Sequence, residues 1–156
     1  MCLGRGIFDV AKQIIDQMLA NDEIDAILVS TPTQTHYAIG LKIVNAGKHL
    51  LLEKPATVRM DELSDLYEAA RRNRVKIIVL YHAAFAKDLL WFEENYEKEL
   101  IHTLGPITEM ECDFYDPYIT NGHLSPNALS LVGSWVDSGI NCLSVVARLV
   151  DPLSII

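Results

Sequence analysis

Glycine, cysteine and positive charge are scarce in this chain, and no apolar run is long. With 13 Lys and Arg against 21 Asp and Glu, the formal net charge is -8. That balance argues against a nucleic-acid partner, which needs a basic face to neutralise phosphates. The three cysteines, Cys2, Cys112 and Cys142, are odd in number, far apart and form no C-x-x-C pair. A zinc site or a disulfide scaffold is therefore not expected, and free thiols in a reducing compartment are. No segment nears the ~20 apolar residues of a membrane span. Met1-Cys2-Leu3-Gly4-Arg5-Gly6 lacks the apolar run of a signal peptide. The expectation is a cytoplasmic protein with no membrane partner and no metal.

The eight glycines matter by position. None forms a Gly-x-Gly-x-x-Gly turn after a strand, the arrangement that lets backbone amides approach a pyrophosphate. Gly4-Arg5-Gly6 is the one near match, but no strand precedes it and Asp9 holds the third glycine position.

What is present is ordered. The 156 residues suit one domain, or one domain and part of another. Ile7, Ala11, Ile14, Ile15 and Met18 recur at helical spacing and predict a helix near Val10–Ala20. Ile24–Ser30, stopped by Thr31-Pro32-Thr33, reads as a strand buried on both faces. Tyr37, Leu41 and Val44 mark a second helix, with Gly47 where a left-handed C-cap belongs. His49–Glu53 is the next strand. Leu63, Leu66, Tyr67 and Ala70 stripe a third helix, acidic at its start (Asp61, Glu62) and basic at its end (Arg71, Arg72), as the macrodipole favours. Lys76–Leu80 is another buried strand. Alternating strands and helices with right-handed crossovers make half of a doubly wound parallel sheet.

The pattern then changes. Phe85 to Leu100 reads as a charged, aromatic helix, broken by Leu104-Gly105-Pro106. Ile107–Tyr115 alternates apolar and polar, which predicts a strand of a one-face-buried sheet. Asp116–Gly133 reads as irregular, and Asp137–Val150 as a last helix. The expected fold class is α/β: the second half of a Rossmann-type parallel sheet (1–104), followed by the start of an α+β domain with an antiparallel sheet (105–156). The three strands correspond to the fourth, fifth and sixth of the order 3-2-1-4-5-6, whose first strand and glycine turn would take roughly 40–50 residues upstream. Truncation at both ends is expected, or a partner covering the bare edge of Ile24–Ser30.

Several motifs taken together resemble a known family. They are Ile24-Asp25-Ala26-Ile27-Leu28-Val29-Ser30-Thr31-Pro32 with His36, Ala46-Gly47-Lys48-His49, Glu53-Lys54-Pro55, His82 with Phe85, Gly105-Pro106-Ile107, and Asp137-Ser138-Gly139-Ile140-Asn141. In register from about Gly6 to Val150 the chain resembles the glucose-fructose oxidoreductase, inositol dehydrogenase and rhizopine-catabolism family. The ending Asp-x-Gly-Ile-Asn looks most like its aldose 1-dehydrogenase branch, acting on arabinose or galactose. The resemblance implies a dinucleotide-binding domain before a larger oligomerising one, NAD or NADP as cofactor, a sugar or polyol substrate, and a homo-oligomer.

It also implies roles. Lys54, at a strand's carboxyl end, would stabilise a developing alkoxide. Asp137 would accept the C1 hydroxyl proton, with Asn141 positioning the sugar four residues on. His82 would face the same crevice and shuttle protons, although Ala84 stands where the family usually has Arg. Ser30, Thr31, Pro32, Thr33 and His36 would lie along the dinucleotide, with Glu53, Lys54 and Pro55 beside the nicotinamide. Plain structural roles compete: Asp137 as an N-cap, Thr33 or Thr35 as a cap, His82 packed beside Tyr81, Trp91 and Trp135 in core or interface packing. Two other readings stay open: a non-catalytic dinucleotide-binding regulator of sugar metabolism, and an inactive fragment.

Overall fold

The computed structural model describes residues 4–115, 119–120, 122–124 and 135–150. The chain divides into two compact units, Met1–Leu80 and Tyr81–Ile156.

The first unit opens with α1 (Gly4–Ala20). Gly4-Arg5-Gly6 is its first turn, so this glycine pair is helix and not a loop behind a strand. Three parallel strands follow in the order of the sequence: β1 (Ala26–Val29), β2 (His49–Glu53) and β3 (Ile77–Leu80). Val29 lies beside Leu52, and Leu52 beside Val79, so the three carboxyl ends finish level. The connections are α2 (His36–Asn45) and α3 (Met60–Asn73), which pack on each other.

Alternation decides which strand residues meet those helices. Ile27, Val29, Leu50 and Leu52 form one core with Ile43 and Val44 of α2 and Leu66, Ala69 and Ala70 of α3. The residues between them point the other way: Leu28 is 57% exposed and Ile78 52%. The expectation of strands buried on both faces is therefore corrected. Two successive crossovers of one hand leave both connecting helices on the same side.

Three local features fix this unit. Gly47 ends α2 at φ +76, a conformation that glycine takes without a Cβ penalty. At Gly40, a Cβ would sit 2.9 Å from Leu50 Cδ2 and 3.4 Å from Leu66. Both leucines are fully buried, so the helix approaches the sheet only because no side chain intervenes. Gly40→Val is expected to destabilise by about 1–3 kcal/mol through overpacking, read as a lower urea midpoint; an unchanged midpoint would mean that the helix can back away freely. Lys48 is buried to 6% exposure, and its Nζ donates to Asn21 O and Ile24 O, both at 2.8 Å. It ties the end of α1 and the approach to β1 to the start of β2. Lys48→Met keeps the stem but strands two carbonyl oxygens. The expected cost is about 1–3 kcal/mol, checked by chemical unfolding; a loss below 0.5 kcal/mol, on the order of ordinary surface substitutions, would show that water replaces the ammonium.

The second unit begins with a 3₁₀ turn, His82–Phe85, then α4 (Lys87–Asn95). A π turn at Tyr96–Leu100 passes into the short α5 (Ile101–Leu104), which Gly105 ends at φ +83. Phe92 and Tyr96 stack at 5.2 Å between ring centroids, and the Ile107 N–H donates to the Tyr96 hydroxyl at 2.8 Å. The expected strand over Ile107–Tyr115 is not formed. Met110 and Cys112 are half-buried while Glu109, Glu111 and Asp113 are exposed. The alternation thus holds over 109–113 but not at Phe114, which is exposed; no described strand pairs with this segment, and a ladder needs a partner. The antiparallel pairing among the described residues is a minimal hairpin, β4 (Ile119–Thr120) with β5 (His123–Leu124). The rest of the predicted irregular stretch lies mostly outside the described residues. A second π turn, Trp135–Gly139, leads into α6 (Ile140–Leu149). Arg148 of α6 pairs with Glu93 of α4 and lies 5.2 Å over the Phe85 ring.

Candidate functional site

Open parallel sheets offer ligands the space beyond the carboxyl ends of their strands. Here β1 runs into Ser30-Thr31-Pro32-Thr33, and β2 ends in Glu53 followed by Lys54-Pro55. The loop after β1 is closed by its hydroxyls. Thr35 Oγ1 donates to Pro32 O at 2.7 Å, so Thr31 Oγ1, 2.7 Å away, donates to Thr35. Neither Thr33 nor Thr35 caps a helix with its side chain. Thr33 is buried, whereas Ser30, Thr31 and Pro32 are exposed. The Lys54–Pro55 peptide is cis, and Glu53 and Lys54 are half-buried.

His36 joins the two loops. It is 1% exposed, its Nδ1 lies 3.0 Å from Pro55 O, and its Nε2 lies 2.7 Å from Thr31 O. Each ring nitrogen thus faces a backbone carbonyl, one in each loop; since a carbonyl only accepts, a neutral ring donates to one of them and packs against the other. The residues quoted as two separate motifs become one connected surface, with His36 beneath it and Ser30, Thr31 and Lys54 nearer its outer side. Beside the open edge of β1 runs an apolar groove of about 160 Å³, lined among others by Ile15, Met18, Leu28 and Ile39, with Ser30 and Thr31 also lining it.

The second unit holds the other candidates. Asp137 is half-buried in the π turn before α6, so it is not a plain N-cap. Asn141 is 1% exposed; its Nδ2 donates to Asp137 O at 3.3 Å, and its Oδ1 is buried with no hydrogen-bond partner. Beneath the same turn, the Trp135 ring lies where a Gly139 Cβ would be, 2.7 Å from its nearest atom. His82, exposed, opens the 3₁₀ turn, and Ala84 is buried. Trp91 and Trp135 are 59% and 70% exposed, so neither is a core residue. Among the described residues, no group of three or more His, Cys, Asp or Glu could hold a metal ion, and no helix is long and apolar enough to cross a membrane. Sequence reasoning missed buried Lys48, which composition marks as a surface residue, and the contact between Cys112 and Cys142, whose separation of 30 positions hides it.

Comparison with known proteins agrees with this fold. Residues 6–81 match the oxidoreductase family with an NAD-binding Rossmann fold known as Gfo/Idh/MocA. The Gfo/Idh/MocA match ends just after β3, where the first compact unit also ends. The chain is 26% identical over 133 residues to the scyllo-inositol 2-dehydrogenase (NADP(+)) IolU of Bacillus subtilis, covering 83% of this chain and 40% of that protein. An NAD-binding protein from Listeria innocua superposes with a TM-score of 0.62 at 23% identity, over 92% of this chain and 42% of the other, which shows the fold. An inositol dehydrogenase homologue from Azotobacter vinelandii, crystallised with NADH and myo-inositol, gives a TM-score of 0.50 at 26% identity, over 58% of this chain and 24% of the other. The chain spans between 17% and 40% of the length of the curated relatives it matches.

Proposed function

We propose that this chain serves an NAD(P)-dependent oxidoreductase that takes a hydride from a sugar or polyol, in its specific form from the C1 hydroxyl carbon of an aldose, leaving a lactone. The observation that carries the proposal is the pair of loops after β1 and β2, held together by His36, with Lys54 at the end of β2. Ser30 and Thr31, which line the groove beside β1, would form one wall of a dinucleotide site. No described residue supplies the glycine turn that would cradle a pyrophosphate. A bound nicotinamide would supply the hydride acceptor. The chain's own part is then electrostatic and acid–base. The Lys54 ammonium would donate to the substrate oxygen and stabilise its growing negative charge. The Asp137 carboxylate would take the hydroxyl proton as the C–H bond breaks. Asn141, with a buried oxygen lacking a partner, would orient a substrate hydroxyl, and His82 would relay a proton to solvent. A relative named for scyllo-inositol and a neighbour crystallised with myo-inositol support a cyclic polyol or sugar as the substrate class.

The test is a panel of aldoses and polyols with NAD+ and NADP+, run on this chain alone and on this chain fused behind the glycine-turn half of a family member. Alone it is expected to hold the dinucleotide weakly, and in the fusion to reduce it in a substrate-dependent way. Tight dinucleotide binding in the fusion, without turnover of any panel member, would favour the non-catalytic regulator.

A further inference from the structure

Cys112 and Cys142 are brought into contact within the second unit. Cys142 Sγ donates to Cys112 O at 3.5 Å, and both residues are half-buried. Burial raises the Cys112 thiol above its usual range. A hydrogen bond with the Cys142 side chain and the charges of Cys142 and Asp113 raise it further, to about 11. Cys112 sits in the alternating segment 107–115, which no described strand pairs. Cys142 sits in the first turn of α6, next to Asn141. A contact between a segment without a ladder and a regular helix is a place where a covalent bond changes most.

We propose that Cys112 and Cys142 form a redox-modifiable dithiol that closes to an intrachain disulfide with a small disulfide oxidant such as oxidised glutathione. The steps balance. Cys142 loses its proton and its thiolate attacks one sulfur of the oxidant, which breaks that S–S bond and releases one glutathione thiolate. Cys112 then loses its proton and attacks the Cys142 sulfur, forming the intrachain bond and releasing the second glutathione. Two protein thiols give up two electrons and two protons, and one disulfide is reduced to two thiols. The order follows from the contact. Once Cys142 is capped, its hydrogen bond to Cys112 and its electrostatic effect there are lost, and two of the causes that raise the Cys112 thiol are removed. The closed form pins segment 107–115 to the start of α6, and thereby to Asn141.

The experiment uses the full chain carrying Cys2→Ser, so that two thiols remain. Treatment of the folded protein with oxidised glutathione is expected to lower the intact mass by about 2 Da, the loss of two hydrogens. Thiol titration should fall from two to zero, peptide mapping should recover a Cys112–Cys142 link, and dithiothreitol should restore both thiols. Adding Cys112→Ser should instead leave a stable glutathione adduct on Cys142. The same treatment in urea should close the link at least ten-fold more slowly, because the folded contact drives it. A lasting adduct with Cys112 present, interchain dimers in place of the link, or equal rates in urea would each overturn the proposal. If the variant that adds Cys112→Ser fails to fold, the native-against-urea rate ratio on the Cys2→Ser protein decides alone.

Discussion

Lys54→Ala is expected to lower turnover by about 10²–10³-fold in the fusion that carries a glycine turn, the usual loss when a donor to a developing oxyanion is removed. Lys54 follows the last residue of β2 and is only half-buried. Its removal leaves no core cavity, so stability should stay within about 1 kcal/mol of the parent. The division between kinetic constants is the informative part. If the ammonium stabilises charge that exists only as the hydride leaves, kcat falls and KM barely moves. If it merely holds a ground-state hydroxyl, KM rises at constant kcat. Lys54→Arg should recover part of the rate, since charge is kept while the compact geometry of the ammonium is not. A Lys54→Ala protein with the parental rate would remove Lys54 from the chemistry.

The largest stability effect is expected at His36. His36→Ala deletes a buried ring and leaves the carbonyl to which it donates, Thr31 O or Pro55 O, without that partner. A cavity and a stranded carbonyl together cost about 3 kcal/mol, which in a chain of this size lowers Tm by roughly 6–12 °C. The two loops would separate as well, so dinucleotide affinity should fall even at temperatures where the fold persists. His36→Gln can reach one carbonyl and should recover part of both losses. A Tm within about 2 °C of the parent, on the order of 1 kcal/mol or less, would show that water bridges the loops as well as the imidazole does.

Sequence carried the first unit well because its signals are local. His49–Glu53 was read with its observed bounds, since a glycine in the left-handed region precedes it and Lys54-Pro55 ends it. The ends of α3 were marked by charge, and Gly47 by its place after Val44 and Ala46. What failed depended on distant neighbours. The alternation at Ile107–Tyr115 is the same pattern a strand shows, but a strand exists only when another lies beside it. Leu28 and Ile78 have the apolar character of buried residues, and their exposure follows from where the helices pack. At the candidate site, the motifs around Thr31 and Pro55 were legible as motifs. Their connection through one imidazole was not, because 19 positions separate His36 from Pro55. Lys48 and the Cys112–Cys142 contact escaped for the same reason: a side chain's partner is a tertiary fact.

The π turn at Tyr96–Leu100 makes the length of that helical segment a fixed quantity. A π turn carries one residue more than an α-helical turn, and each residue of an α-helix advances about 100° around the axis. Deleting exposed Lys98 would tighten the turn to ordinary helix. It would also swing Gly105 and Ile107 about 100° around the axis, away from the Tyr96 hydroxyl that the Ile107 amide reaches. The chain would then leave the helix heading in another direction. A surface residue whose side chain meets only Glu94 among the described residues therefore counts as a spacer, indifferent to substitution and intolerant of removal.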